Sequence, residues 1–66
     1  MILIMTKATY EAKNGRIFKF VYNEYKRIVE VYTDDKLHLT IVNVDPQDST
    51  AQMNGFMDAW NQANPA

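Results

Sequence analysis

The residues that could carry out covalent catalysis are few and far apart in the chain. Ser49 is the only serine, His38 is the only histidine, and there is no cysteine. A nucleophile needs a base within hydrogen-bonding reach and a third group that orients the base. Ser49 falls in the first turn of a predicted helix, where a hydroxyl ordinarily caps the backbone, and His38 falls within a predicted strand. We therefore predict that the protein is not an enzyme.

The acidic residues and glycines also lack the spacing of metal and cofactor sites. One histidine with scattered carboxylates fits neither the ligand spacing of zinc sites nor the calcium loop with its invariant glycine. Asp34-Asp35 fits a turn, and Asp45 with Asp48 fits the start of a helix. Phosphate-binding loops are rich in glycine, whereas this chain has only two glycines. The sequence predicts no metal ion and no cofactor.

The length and composition indicate one small globular domain covering residues 1–66. The mass is 7.7 kDa, 47% of the residues are hydrophobic, and the net charge is -1. Coating duplex nucleic acid usually requires a strongly basic surface. No apolar run approaches the roughly 20 residues of a membrane-spanning helix. We expect a cytoplasmic protein without membrane association, with Met1 or Met5 as the initiating residue.

Residues 6–44 predict four antiparallel strands joined as a meander, because β-branched and aromatic residues dominate and the interruptions resemble turns. Asn14-Gly15 is the strongest turn signal and predicts a two-residue type I′ turn between the first two strands. The second turn is predicted at Asn23-Glu24 or Glu24-Tyr25, and the third at Asp34-Asp35.

The apolar pattern changes to a helical period after Val44. Asp45 is a predicted N-cap, and Pro46 suits the first helical position. Asn64-Pro65 is predicted to end the helix. One stripe of the helix carries four large apolar residues, namely Met53, Phe56, Met57 and Trp60. The predicted fold is therefore α+β in two layers, a four-stranded antiparallel β-meander with one C-terminal helix packed on one face.

Pairing through two-residue turns assigns each strand residue to one side of the sheet. The side predicted to lie under the helix carries Ile4, Ala8, Tyr10, Ala12, Ile17, Lys19, Val21, Ile28, Glu30, Tyr32, Leu37, Leu39 and Ile41. The side predicted to be uncovered carries Phe18, Phe20, Tyr22, Val29, Val31 and Val42, surrounded by Lys7, Lys13, Arg16, Arg27, Lys36 and His38. A turn at Glu24-Tyr25 would place Lys19 opposite Glu30, whereas a three-residue second loop would exchange the sides of the later strands.

The uncovered aromatic side leads to a first hypothesis, a small non-enzymatic interaction protein. Exposed apolar patches usually mark interaction sites, and a core this small gains from association. Such a protein would form a homodimer and bind a larger protein partner as a regulator or inhibitor, a profile common among accessory proteins of viral or mobile-element origin. The residues predicted to contact the partner are Lys7, Arg16, Phe18, Phe20, Tyr22, Arg27, Val29 and Val31. An acidic or phosphorylated partner fits the charges, since residues 1–27 carry six basic and two acidic side chains.

The same side supports a second hypothesis, the binding of single-stranded nucleic acid. Phe18, Phe20 and Tyr22 would stack on bases while the surrounding Lys and Arg side chains contact phosphates. The order of four strands followed by a helix resembles, in topology, the Whirly and transcriptional-coactivator class of dimeric single-strand binders. Burial of the same aromatic residues in a homodimer is the competing interpretation.

Overall fold

A computed structural model describes residues 5–65 as a two-layer α+β fold. Four antiparallel strands form one sheet in the order of the chain, and a C-terminal helix packs on one face of that sheet. The elements are β1 (Met5–Glu11), β2 (Ile17–Asn23), β3 (Ile28–Thr33), β4 (Lys36–Ile41), a 3₁₀ turn (Pro46–Asp48) and α1 (Ser49–Ala63). The predicted fold class is confirmed. Ile4, predicted for the side under the helix, lies outside the described residues.

The hairpin between β1 and β2 has a three-residue loop rather than the predicted two-residue turn. The Gly15 N–H donates to the Ala12 carbonyl at 2.9 Å, and the Ala12 N–H donates to the Arg16 carbonyl at 2.8 Å. Gly15 has a φ of 91°, whereas Asn14 is not among the residues with positive φ. A turn followed by one glycine with positive φ is the common three-residue hairpin loop. As a result, Tyr10 pairs with Phe18, one residue away from the predicted register.

The loop between β2 and β3 is longer than predicted but preserves the relative sides of the two strands. Asn23 pairs with Ile28, so the loop spans residues 24–27, and Arg27 closes it with a φ of 55°. The register differs by two residues from the one predicted with the turn at Glu24-Tyr25, and a shift of two leaves every side chain on its side. Lys19 therefore lies opposite Tyr32, and the predicted pairing of Lys19 with Glu30 is wrong.

The third turn lies at Asp34-Asp35, as predicted, with φ values of 55° and 61° that fit a two-residue hairpin. The pairing of β3 with β4 then shifts, because Tyr32 pairs with Leu37 but Val31 pairs with Leu39. His38 is the extra residue of this β-bulge. A bulge exchanges the sides of the residues beyond it, so Leu39 lies on the same side as Val31 rather than on the side of Tyr32.

The helix covers the side of the sheet that carries the large aromatic residues of β2, here called the helix side. Phe18 and Phe20 are fully buried, and Tyr22 is 3% exposed. Val29 and Val31 of β3 are fully buried on the same side. The prediction that this side is uncovered is therefore wrong. The assignment of Ile17, Lys19, Val21, Ile28, Glu30, Tyr32 and Leu37 to the side under the helix is wrong as well, because the register places these residues on the opposite side of the sheet.

The physical reason lies in the charges of the two central strands. One side of β2 and β3 carries Lys19 and Glu30 in its middle, and a charged group in a core costs several kcal/mol unless it is fully paired. The other side carries no charge, and the buried Tyr22 hydroxyl donates to the Val44 carbonyl at 2.7 Å. The helix therefore covers the uncharged side. Ala8, Tyr10, Ala12 and Ile41, also predicted to lie under the helix, do contact this core or belong to it.

The helix presents the predicted apolar stripe to the sheet. Met53 and Met57 are buried, and Phe56 and Trp60 pack at the margin of the core. The Phe18 ring lies edge-on to both of the latter, with centroid distances of 5.2 Å to Phe56 and 4.9 Å to Trp60. The stripe thus closes the core over the first half of β2.

Both ends of the helical segment lie close to their predicted positions. Asp45 precedes the 3₁₀ turn, but its carboxylate makes no capping bond and instead accepts from Arg27 Nη1 at 3.3 Å. At the other end, the Asn64 N–H donates to the Trp60 carbonyl at 2.8 Å and Pro65 follows. Gly55 lies within the unbroken helix and has no neighbouring atom within 4 Å of where a Cβ would stand.

Candidate interaction surface

The side of the sheet opposite the helix is not covered by any element of residues 5–65, and we call it the outer face. Its membership follows from the strand register and from the alternation of side chains along a strand. The outer face carries Lys7, Thr9, Glu11, Ile17, Lys19, Val21, Asn23, Ile28, Glu30, Tyr32, Leu37 and Thr40. All of these side chains are half-buried or exposed.

Three apolar side chains form a diagonal patch across the outer face. Ile17 is 43% exposed and Leu37 is 52% exposed. Half-buried Tyr32 lies between them, because it pairs directly with Leu37 and is the diagonal neighbour of Ile17. Two shallow grooves border the patch and share Lys19, Tyr32 and Asp35 in their linings. The outer face is therefore contoured, and its apolar patch lies toward the end of the sheet that carries the loop between β1 and β2 and the turn between β3 and β4.

The charges of the outer face balance each other. Lys7 and Lys19 are matched by Glu11 and Glu30, and Lys19 Nζ also lies 3.9 Å from the Asp35 carboxylate. The Lys19–Asp35 pair is exposed and contributes little stability, about 0 to 1 kcal/mol. The outer face therefore carries both signs of charge beside the apolar patch.

The predicted partner-binding residues are not brought together on one surface. Phe18, Phe20, Tyr22, Val29 and Val31 lie beneath the helix. The helix would have to leave the sheet before any of them could contact a partner or a base. This burial removes the structural basis of an aromatic, base-stacking side.

The predicted basic residues have separate positions. Arg16 Nη1 lies 2.9 Å from the Asp34 carboxylate, and the guanidinium lies 5.8 Å from the centroid of the Trp60 ring. Arg27 pairs with Asp45 near the start of the helical segment. Lys7 belongs to the outer face. The basic residues thus pair within the chain or point to different surfaces rather than surrounding one site.

Ser49 and His38, the residues considered above for catalysis, each contact neighbouring groups of the fold. The Ser49 hydroxyl donates to the Pro46 carbonyl at 3.0 Å. The His38 ring lies among aromatic rings, with centroids 6.1 Å from Phe18, 6.0 Å from Phe56 and 5.9 Å from Trp60. Between Met5 and Pro65, no group of three His, Cys, Asp or Glu side chains is placed to hold a metal ion. No helix within the same range is long and apolar enough to cross a membrane.

The environment of the buried Tyr22 side chain changes the pKa of its phenol. Burial raises the pKa of its phenol, and the nearby Glu24 carboxylate acts in the same direction while Arg27 opposes it. The phenol therefore stays protonated and continues to donate to the Val44 carbonyl as the pH approaches the ordinary pKa of a tyrosine. Its role is to fix the segment that leads from β4 to the helix.

Comparisons of the chain with protein-family models, with curated protein sequences and with solved structures return no match. Function must therefore be argued from the geometry of this chain.

Sequence reasoning missed the outer face although a signal for it was present. Lys19 and Glu30 lie in the middle of β2 and β3, and both fall on the side opposite Phe18 and Phe20. Comparing the charges on the two sides of the central strands would have placed the aromatic side in the core without any assumption about loop length.

Proposed function

We propose that the protein is a non-enzymatic interaction protein that binds a larger protein partner through the outer face. The observation that supports this is the exposure of Ile17 and Leu37 beside Tyr32 on an uncovered side of the sheet. Apolar side chains grouped on a rigid sheet are typical of protein-binding surfaces. A protein of this kind regulates or inhibits its partner by occupying a surface that the partner needs.

The charge balance favours a protein partner over a nucleic acid. A strand of nucleic acid is bound mainly through its phosphates and needs a positive groove. Lys7 and Lys19 are each offset by a glutamate on the same face, and among residues 5–65 Tyr32 is the only aromatic residue of the outer face. We expect the partner to offer an apolar protrusion with both acidic and basic residues around it.

Site-specific photo-crosslinking tests this proposal. A photoreactive amino acid is placed at Leu37 on the outer face or at Gln52, an exposed position on the helix. Each chain is expressed in the source organism, and the crosslinked products are resolved by mass. We expect one discrete protein adduct from position 37 and none from position 52.

A second substitution shows whether the adduct depends on the outer face. Ile17→Lys adds a charge to the apolar patch and should reduce the adduct more than tenfold, whereas Gln52→Lys adds the same charge to the helix and should leave it unchanged. Circular dichroism checks that both variants remain folded. Equal labelling from the two crosslinking positions, or an adduct with nucleic acid, would refute the proposed function.

A further inference from the structure

Within residues 5–65 the two edges of the sheet differ, and β1 is the open one. The strand order leaves β1 and β4 at the edges. β4 is interrupted by the bulge at His38, whereas β1 pairs with β2 through seven consecutive residues without a bulge or a proline. Native sheets usually protect their edges with bulges, prolines or short strands, because an open edge pairs readily with another strand. A regular β1 therefore offers a pairing surface.

The hydrogen-bond pattern identifies which residues face the open edge. The Ala12 N–H donates to the Arg16 carbonyl, so Ala12 directs its backbone groups toward β2. In an antiparallel ladder this direction alternates with every residue. Tyr10, Ala8 and Thr6 therefore bond to β2, whereas Glu11, Thr9 and Lys7 direct their N–H and C=O groups away from the sheet.

The side chains of these three outward-facing residues are self-complementary. When two copies of β1 pair antiparallel around a two-fold axis at Thr9, Lys7 lies opposite Glu11 of the second copy and Thr9 lies opposite Thr9 of the second copy. Opposite charges and facing threonines are both favourable cross-strand pairs. A shift of two residues in either direction places Lys7 or Glu11 opposite Thr9 and loses both charge pairs.

The helix side of this pairing also fits. The same register places Ala8 opposite Tyr10 of the second copy, so a small side chain faces a large one. Tyr10 is half-buried, and its ring stands edge-on to Phe20 at a centroid distance of 5.2 Å. Ala8 leaves room for this ring without any change in the core.

We propose that two copies of this chain associate through antiparallel pairing of β1 with β1, centred on Thr9, to form a continuous eight-stranded sheet. Three residue pairs would each exchange two backbone hydrogen bonds. Because a single strand buries less area than a standard interface of about 1,600 Å², we expect a dimer that forms at high protein concentration. This inference concerns the sheet edge and does not depend on the proposed outer-face partner.

Charge exchange tests the pairing in solution. Sedimentation velocity over a concentration series measures association of the wild-type chain, of Lys7→Glu and of Glu11→Lys. Each single variant should associate at least tenfold more weakly, because like charges face each other twice in its dimer. An equimolar mixture of the two should recover wild-type association, since every facing pair is then opposite in charge. Lys26→Glu, in the loop after β2, is the control and should associate normally.

Disulfide formation tests the register. The chain has no cysteine, and facing residues in the hydrogen-bonded pairs of an antiparallel ladder lie about 5.5 Å apart between Cα atoms, within the range of a disulfide. Thr9→Cys should therefore form a dimer on mild oxidation. Lys7→Cys should not, because position 7 of one copy lies about 13 Å along the strand from position 7 of the other.

The results of these two experiments either support or overturn the pairing of β1 with β1. Recovery in the mixed sample together with a position-9 disulfide supports the pairing. A wild-type chain that stays monomeric throughout the series overturns it, as does a mixture that fails to recover or a disulfide that forms equally at position 7. None of these results bears on the crosslinking at Leu37, so the edge pairing and the proposed function fail independently.

Discussion

Truncation of Phe20 tests which side of the sheet forms the core. The Phe20 ring is fully buried and lies edge-on to Tyr10 and Phe56, with centroid distances of 5.2 Å and 5.6 Å. Phe20→Ala should lower the free energy of unfolding by about 3 to 5 kcal/mol, because it removes a buried ring and leaves a cavity. A domain of this length has a total of about 3 to 10 kcal/mol, so the variant should be largely unfolded or close to it. Phe20→Leu should cost about 1 to 2 kcal/mol and remain measurable.

Ile17→Ala is the matched control on the same strand. Ile17 lies on the outer face and is 43% exposed. Its truncation creates no closed cavity, so we expect a loss of about 1 kcal/mol or less. Urea titration followed by far-ultraviolet circular dichroism measures both variants against the wild-type chain. If Ile17→Ala costs as much as Phe20→Ala, or if Phe20→Ala costs less than about 1 kcal/mol, then the side assignment is wrong.

Three further predictions concern the backbone and pH. Gly55→Ala should raise the free energy of unfolding by about 1 kcal/mol in urea titration, because the helix gains alanine propensity and the added Cβ meets no atom within 4 Å; a loss of stability would contradict this. Gly15→Ala should lower it by about 1 to 2 kcal/mol, since its φ of 91° is unfavourable for any residue with a Cβ, and an unchanged urea midpoint would count against the three-residue loop. Burial raises the pKa of the Tyr22 phenol, so its stabilising effect is complete below about pH 10 and is lost as the pH rises through the higher folded-state pKa. The advantage of the wild-type chain over Tyr22→Phe should therefore stay unchanged up to about pH 10 and shrink as the pH is raised above that value, as urea titration at each pH would show.

The elements of this fold were predictable because each one depends on local signals. The positions of the three turns, the helix start at Asp45-Pro46 and the stop at Asn64-Pro65 follow from residues next to each other in the chain. The stripe of Met53 and Met57 follows from helical spacing, which needs no tertiary information. These signals remain valid whichever side of the sheet the helix covers.

The sides were not predictable from the turn positions, because a side assignment depends on whether the residue count is odd or even. Asn14-Gly15 fits a two-residue turn and also the end of a three-residue loop, and the two differ by one residue in register. The bulge at His38 adds a second such step that no residue signals. Each extra residue exchanges the sides of the residues beyond it. Correct positions for the turns therefore do not give a correct assignment of residues to the two sides of the sheet.

The length of the loop between β1 and β2 decides on which side of the sheet the charged residues of β1 lie. Lys7 and Glu11 lie on the outer face only because the three-residue loop pairs Ala12 with Arg16. A two-residue turn would keep the aromatic side of β2 under the helix but place Lys7 and Glu11 beside it, and burying two charges costs more than the choice of turn can repay. The pairing that turns these side chains outward also turns their backbone groups toward the open edge, because residues on one side of a strand share one hydrogen-bonding direction. The exclusion of charged side chains from the core therefore favours the three-residue loop. The same loop directs the backbone groups of Lys7, Thr9 and Glu11 toward the open edge.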